Sequence, residues 1–297
     1  MTTLLGAVND WYLNINKGFL NGTIVLDLQK AVDTMDHQIL LHKLKLYRVC
    51  QSSLVWFTCY LKERKQKTFV NGVLSDNCTI KCGIPQGSIL GPLLFLVYIN
   101  DLPSCDHFSK VRMYPDDTSL TIASDNVHIL EQRMNHDICE IHTWLQANKL
   151  SLNVVKTKYM IIASQHKIKY LKHQFQIEVN HQPLKREKGI KYLGIEIDES
   201  FTWKDYINRI SKKISGGIGG LKRVRHLVPF EIVTMYNSLV LPYFDYCSAV
   251  WGNCRKGLSD KLQKLQNRAA RVVILFQIII GNRLSYWMSL CGINVVC

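Results

Sequence analysis

The chain has 297 residues, 47% hydrophobic and 20% charged, enough to bury a sizeable core as one large or two modest domains. Its formal net charge of +14 favours a polyanionic partner. The excess is uneven: residues 204–271 carry thirteen Lys/Arg against four Asp/Glu, while 1–203 carry 23 against 19. The ten cysteines include no Cys-x-x-Cys pair, and Cys78/Cys82 lack a partner pair to complete a zinc site, so reduced thiols in an intracellular protein are expected. No basic n-region followed by an apolar run marks a signal peptide, and the nine residues Val272 to Ile280 are too short to span a bilayer. Those features argue against a membrane location and for a nuclear or cytoplasmic one.

In chain order, a short polar segment with Trp11, Tyr12 and an Asn21-Gly22 pair comes first. Thr23 to Leu28 then makes a nearly continuous β-branched and apolar run, expected to be a buried central strand. Asp27 interrupts it. A carboxylate there costs several kcal/mol in desolvation unless it is paired or binds a cation, so Asp27 reads as functional. Asp36 is a candidate N-cap for a helix with Ile39, Leu40, Leu44 and Tyr47 on one face. A second helix is expected over Ser53 to Glu63, then a hairpin on Asn71-Gly72 and a strand from Cys78 to Cys82.

The next ten residues, Gly83 to Pro92, hold three glycines and two prolines and launch an apolar helix over Leu93 to Ile99. Such an entry suits close backbone approach to a phosphate or base. Val111 to Tyr114 and Thr118 to Ser124 alternate as paired strands, joined by the turn tripeptide Pro115-Asp116-Asp117, which offers two carboxylates at a hairpin tip. Leu130, Met134, Ile138, Ile141 and Leu145 form one apolar helix face. Leu152 to Ala163 reads as a strand with Lys156 and Lys158 near its start, and Lys191 to Asp198 as a strand or hairpin. From Trp203 the chain is helical and basic, interrupted by the glycine run 216–220, Pro229 and Pro242.

These segments, in this order, resemble the reverse transcriptase of non-LTR (LINE-type) retrotransposons. Leu26 to His37 is similar to the family's first catalytic motif and Gly83 to Pro103 to its nucleotide- and template-contacting motif. Met113-Tyr-Pro-Asp-Asp-Thr118 sits where the family carries an aromatic-Ala-Asp-Asp box, Trp144 to Lys158 resembles the following motif, and Tyr192-Leu193-Gly194 the primer-grip region. The tail with Leu265-Gln-Asn-Arg-Ala-Ala-Arg271 resembles the thumb. The resemblance implies an α+β polymerase palm, an antiparallel sheet with helices on one face, over 1–203 and a helical thumb over 204–297.

It also implies nucleotidyl transfer from deoxynucleoside triphosphates onto a DNA primer paired to an RNA template. Asp27, Asp116 and Asp117 would hold two Mg²⁺ or Mn²⁺ ions; carboxylates ~4 Å apart repel by about 4 kcal/mol per pair at an effective dielectric near 20, which a cation between them relieves. Gln86 and Gly87 would approach the templating pair and incoming nucleotide. Lys156 would protonate the leaving pyrophosphate, with a solvated strand lysine as the alternative. Asp33 reads as structural or as a support behind the metal ligands. Val32 stands where the family has an aromatic residue screening the ribose 2′-hydroxyl, and Pro115 replaces a small apolar residue. With only 26 residues before Asp27, the fingers segment is expected to be missing and the chain to be a partial or degenerate copy with extension near background. The alternatives are a non-catalytic nucleic-acid-binding remnant and a relative of intron maturases or RNA-directed RNA polymerases.

Overall fold

The computed structural model describes residues 2–85, 87–105, 107–114, 117–224 and 232–280; the side chains of Asp117 and of 274–280 lie outside that description. The chain divides into two compact units. One runs from Asp10 to Lys188, and the other comprises the chain from Gly189 onward with the first nine residues. The hairpin at 189–198 sorts with the helices that follow it.

The first unit is built on a five-stranded sheet in the order Lys185–Arg186, Lys158–Ile162, Leu20–Leu26, Asp117–Ser124, Lys110–Tyr114. The Leu20–Leu26 strand lies antiparallel to both of its neighbours, and the short Lys185–Arg186 edge is parallel to Lys158–Ile162. All of Leu20–Leu26 is buried except the half-buried Val25, which is why its sequence is nearly continuous rather than alternating. The strand begins earlier than the apolar run suggests. Asn21-Gly22, a turn signal by composition, lies within it: the Asn21 amide donates to the carbonyls of Trp11 and Ile162 at 3.4 Å each. Gly22 leaves room for Met134, whose sulfur a β-carbon there would overlap.

Met134 belongs to the helix Val127–Ala147, whose stripe of Leu130, Met134, Ile138, Ile141 and Leu145 is buried as its spacing requires. The opening residues are not irregular. Leu4, Ala7, Val8 and Trp11 recur at helical spacing, all buried, on a helix Thr2–Asn16. Asp36 caps the helix His37–Leu46 by accepting from the backbone of Gln38 at 2.9 Å and Ile39 at 3.0 Å. Lys43 of that helix is buried; its ammonium donates to Tyr98 O and to Asp101 at 2.6 Å each and lies over the rings of Tyr98 and Trp144. Helices Gln51–Leu61 and Leu90–Ile99 follow expectation within a few residues. So does the hairpin Phe69–Val70/Val73–Leu74, whose Asn71 and Gly72 take φ of +49° and +83°.

Three further expectations fail. The strand expected from Cys78 to Cys82 covers only Cys78–Thr79. Leu152 to Ala163 is not one strand: Leu152 makes an isolated bridge to Leu28, residues 154–156 turn, and the strand starts only at Lys158. The glycine run does not break the basic helix, which continues unbroken from Lys204 to Val224. Its apolar stripe of Ile207, Ile210, Ile214, Ile218 and Leu221 is buried through the run, so packing outweighs the weak propensity of glycine. The second unit also holds the hairpin Gly189–Tyr192/Ile195–Asp198 and the helices Ile232–Leu239 and Lys256–Ile280. Both units together give the expected α+β class. Among the described residues no helix is long and apolar enough to cross a membrane, and the eight described cysteines are free thiols.

Candidate active site

Strand register decides where the carboxylates go. Leu26 pairs with Thr118, so Asp27, the next residue, leaves the central strand beside the start of the strand Asp117–Ser124. Asp27 is therefore at the strand's end and half-buried, not in its middle. This placement removes most of the desolvation cost expected for a mid-strand carboxylate while keeping it in a defined position. Its backbone is clamped on both sides: its N–H donates to Thr157 Oγ1 at 3.2 Å and its carbonyl accepts from Asn153 N–H at 2.8 Å. Among the described residues, nothing donates to its carboxylate or forms an ion pair with it. Asp117 pairs with Tyr114 and so opens its strand rather than completing a turn. Asp116 and Pro115 lie outside the described residues, as does Gln86.

Asp27 lines a cleft of about 180 Å³ together with Lys30, Val32, Phe95 and Thr118. Val32 sits on a single helical turn, Ala31–Thr34, and its carbonyl accepts from Ile84 N–H at 3.1 Å, while Met35 O accepts from Gly83 N–H at 2.7 Å. The glycine-rich loop is thus stitched to the turn that follows Asp27. His37 Nε2 makes a further 2.7 Å contact to Gly83 O. Gly83 has φ +77°, and a β-carbon on it would stand 2.6 Å from the Asp33 carbonyl carbon, so only glycine fits. Gly87 also takes a positive φ, +79°, with open space around it. Lys156 is exposed, in the turn whose Asn153 and Thr157 hold the Asp27 peptide. Its neighbour Lys158 is occupied, pairing with Glu187 at 3.1 Å.

In the second unit, Leu193 and Gly194 take φ of +46° and +82°, a tight two-residue hairpin turn. Tyr246 Oη donates to Leu193 O at 2.7 Å, and Arg209, paired with Glu196 at 2.8 Å, donates to Gly194 O at 3.1 Å. Tyr192 itself is buried and serves as core; Gly194 is the exposed part of the turn. The helices Lys204–Val224 and Lys256–Ile280 line a groove of about 730 Å³ that carries Lys212, Lys261, Lys264 and Arg268. Phe95, Thr118 and Thr157 went unnoticed in the sequence, because each sits in a run that already reads as ordinary helix or strand.

A profile described as "Reverse transcriptase (RNA-dependent DNA polymerase)" matches residues 12–197, more than half of the chain. The chain belongs to that family. Reverse transcriptases of this family use divalent metal ions, and a half-buried carboxylate with its backbone fixed and its oxygens unclaimed by described residues fits such an ion. Curated relatives include the "RNA-directed DNA polymerase from mobile element jockey" of Drosophila melanogaster, 26% identical over 86% of this chain and 28% of its own length. The "Probable RNA-directed DNA polymerase from transposon BS" of the same species is 26% identical over 84% of this chain and 28% of its own. The LINE-type resemblance is thereby borne out, and this reverse transcriptase domain spans little more than a quarter of the length of those relatives. Among solved structures, apo telomerase from Candida tropicalis, truncated from its C-terminal domain, matches with a TM-score of 0.42 and 12% identity, over 67% of this chain and 38% of that one.

Proposed function

We propose that this reverse transcriptase domain performs RNA-directed DNA synthesis, with Asp27, Asp116 and Asp117 as its carboxylate set. The register that sets Asp27 beside Asp117, through the Leu26–Thr118 pair, is the observation that carries the reading. These residues would hold two Mg²⁺ or Mn²⁺ ions, which when bound supply charge neutralisation and an activated primer hydroxyl. The chain's own residues position the rest. Thr157 and Asn153 fix the Asp27 peptide, so its carboxylate meets the substrate already oriented. Val32 and Phe95 wall the cleft against the incoming sugar, and the smaller Val32 relaxes discrimination at the 2′ position. Gln86 and Gly87 approach the templating pair, Lys156 gives a proton to the departing pyrophosphate, and the backbone of Leu193-Gly194 supports the primer.

Primer extension tests this. The sequence alone points to extension near background, but the fixed Asp27 peptide and the loop bonded to the 32–35 turn support an assembled site, so purified chain with an RNA template, a DNA primer and Mg²⁺ or Mn²⁺ should extend, and Asp27→Asn should lower the rate by more than about 100-fold. Extension that survives Asp27→Asn refutes the assignment. A second reading, nucleic-acid binding without catalysis, is favoured by the four cations in the helical groove. Contact with about four to six phosphates gives a slope of log affinity against log salt near −4 to −5. Salt-dependent binding without extension under either ion would select this second reading.

A further inference from the structure

The central strand has another end. Leu20 pairs with Ser124 there, and Asn126 caps the helix Val127–Ala147 immediately afterwards. At ~3.4 Å per residue this end lies roughly 24 Å from Asp27 along the strand. His128 and Glu131 stand three residues apart in the helix's first two turns, on one face. His173 approaches from the segment after Leu171: its Nε2 lies 2.8 Å from Glu131 Oε2, and its ring meets that of His128 edge-on at 4.8 Å between centroids. One ligand atom of each of the three lies within 4.8 Å of the others.

The segment carrying His173 is anchored independently. Tyr159 Oη donates to Phe175 O at 2.9 Å, Asn135 Nδ2 donates to Gln176 O at 2.8 Å, and Glu178 N–H donates to Asn135 Oδ1 at 3.0 Å. Glu131 Oε1 accepts from Gln176 N–H at 2.5 Å, which orients the carboxylate and leaves Oε2 turned to the histidines.

We propose that His128, Glu131 and His173 form a zinc site with water in the fourth position. Two imidazoles and one carboxylate suit Zn²⁺, whereas Mg²⁺ prefers oxygen ligands, so the site is chemically separate from the carboxylates at Asp27. Tetrahedral zinc with bonds of about 2.0–2.1 Å needs ligand atoms ~3.3 Å apart. His173 and Glu131 are already that near, and the exposed His128 has only to swing inward. The ion would staple the 171–178 segment to the helix that packs on the sheet.

The test uses the full chain, stripped with a chelator and dialysed against Zn²⁺ in excess Mg²⁺. Wild type should retain one zinc more per chain than His128→Ala. Circular dichroism checks that this exposed-site variant keeps its fold. His173→Ala should lose the same ion, Asp27→Asn should keep it, and zinc affinity in His128→Ala should fall by more than the ~100-fold known for outer-shell partners. Co²⁺ in place of zinc should give tetrahedral visible bands in wild type that His128→Ala lacks. Equal zinc content in wild type and both histidine variants would assign any bound metal to the free thiols and overturn the site. So would a wild type that retains none.

Discussion

Two glycine-rich segments of this molecule look alike in composition and differ in what their glycines do. In the loop from Gly83 to Gly91, Gly83 holds a left-handed φ with the Asp33 backbone where a β-carbon would go. In the run 216–220 the backbone is plain helix, and around Gly216, Gly219 and Gly220 a β-carbon would meet nothing within 4 Å. Only Gly217 is pressed, its β-carbon position lying 2.8 Å from Leu239 O. A glycine count therefore carries little information; φ and the nearest backbone atom carry the rest. The first segment uses glycine to hold the loop from Gly83 against the turn after Asp27, and the second uses one glycine for helix packing and tolerates the others.

The sharpest way to break this contrast is Gly83→Ala. It combines left-handed strain of about 1–2 kcal/mol with overlap against backbone that cannot swing aside, so a loss above about 3 kcal/mol is expected in denaturant unfolding. Primer extension should fall with it, because the loop can no longer bond to Val32 and Met35. A neutral Gly83→Ala would show that the turn yields easily and that the loop is not held as described. Gly217→Ala comes next. Overpacking against Leu239 O costs about 1–3 kcal/mol, of which ~1 kcal/mol is offset by better helix propensity. A net loss near 1 kcal/mol is expected; a gain would mean the Ile232–Leu239 helix shifts freely.

Gly216→Ala and Gly220→Ala should act in the opposite direction. Each replaces glycine in a helix interior with open space around it, so each is expected to stabilise by about 0.5–1 kcal/mol, and the pair close to additively. The check is the midpoint of denaturant unfolding for the single and double variants. Destabilisation by either would place an unseen neighbour against this face.

What could be read in the sequence follows the same division. Periodicity exposed the Val127–Ala147 helix, the Asn71-Gly72 hairpin and the paired strands around Asp117, because each pattern is local and obeys a fixed period. The carboxylate at position 27 stood out in its apolar run, although its place at the strand's end removes most of the cost that drew attention to it. Asn21-Gly22 was placed in the polar segment ahead of the strand but lies within it, since the buried amide finds its partners on Trp11 and Ile162, residues 10 and 141 positions away. The glycine run misled because burial of Ile214, Ile218 and Leu221 is a tertiary effect that propensity does not contain. The His128–Glu131–His173 cluster was illegible for a related reason. Its i, i+3 pair is ordinary on a helix face, and nothing local brings His173 to it.

The smallest expected effect concerns the support behind the first glycine segment. Residues 32–35, which receive the loop's hydrogen bonds, end at Asp36, whose Oδ1 caps the next helix while its Oδ2 pairs with Lys149 at 2.6 Å. The hydrogen bond from Lys149, ahead of the cap bonds, holds the Asp36 carboxyl below its ordinary value of 3.8 despite an opposing contribution from burial. A depressed folded-state pKa means the stabilisation is fully present above the unfolded value and is lost as pH falls through the folded one. Asp36→Asn keeps an acceptor for the cap but removes the charge facing Lys149. Because Lys149 is 63% exposed, water screens the pair, and the variant should lose only about 0.2–1 kcal/mol at neutral pH. The gap between wild type and Asp36→Asn, followed by denaturant unfolding from pH 7 downward, should stay constant to near pH 4 and then close as Asp36 protonates. A gap that persists in acid would assign the loss to a damaged cap instead. The ion pair would then contribute nothing to holding the 32–35 turn, which the backbone bonds from Gly83 and Ile84 would hold without it.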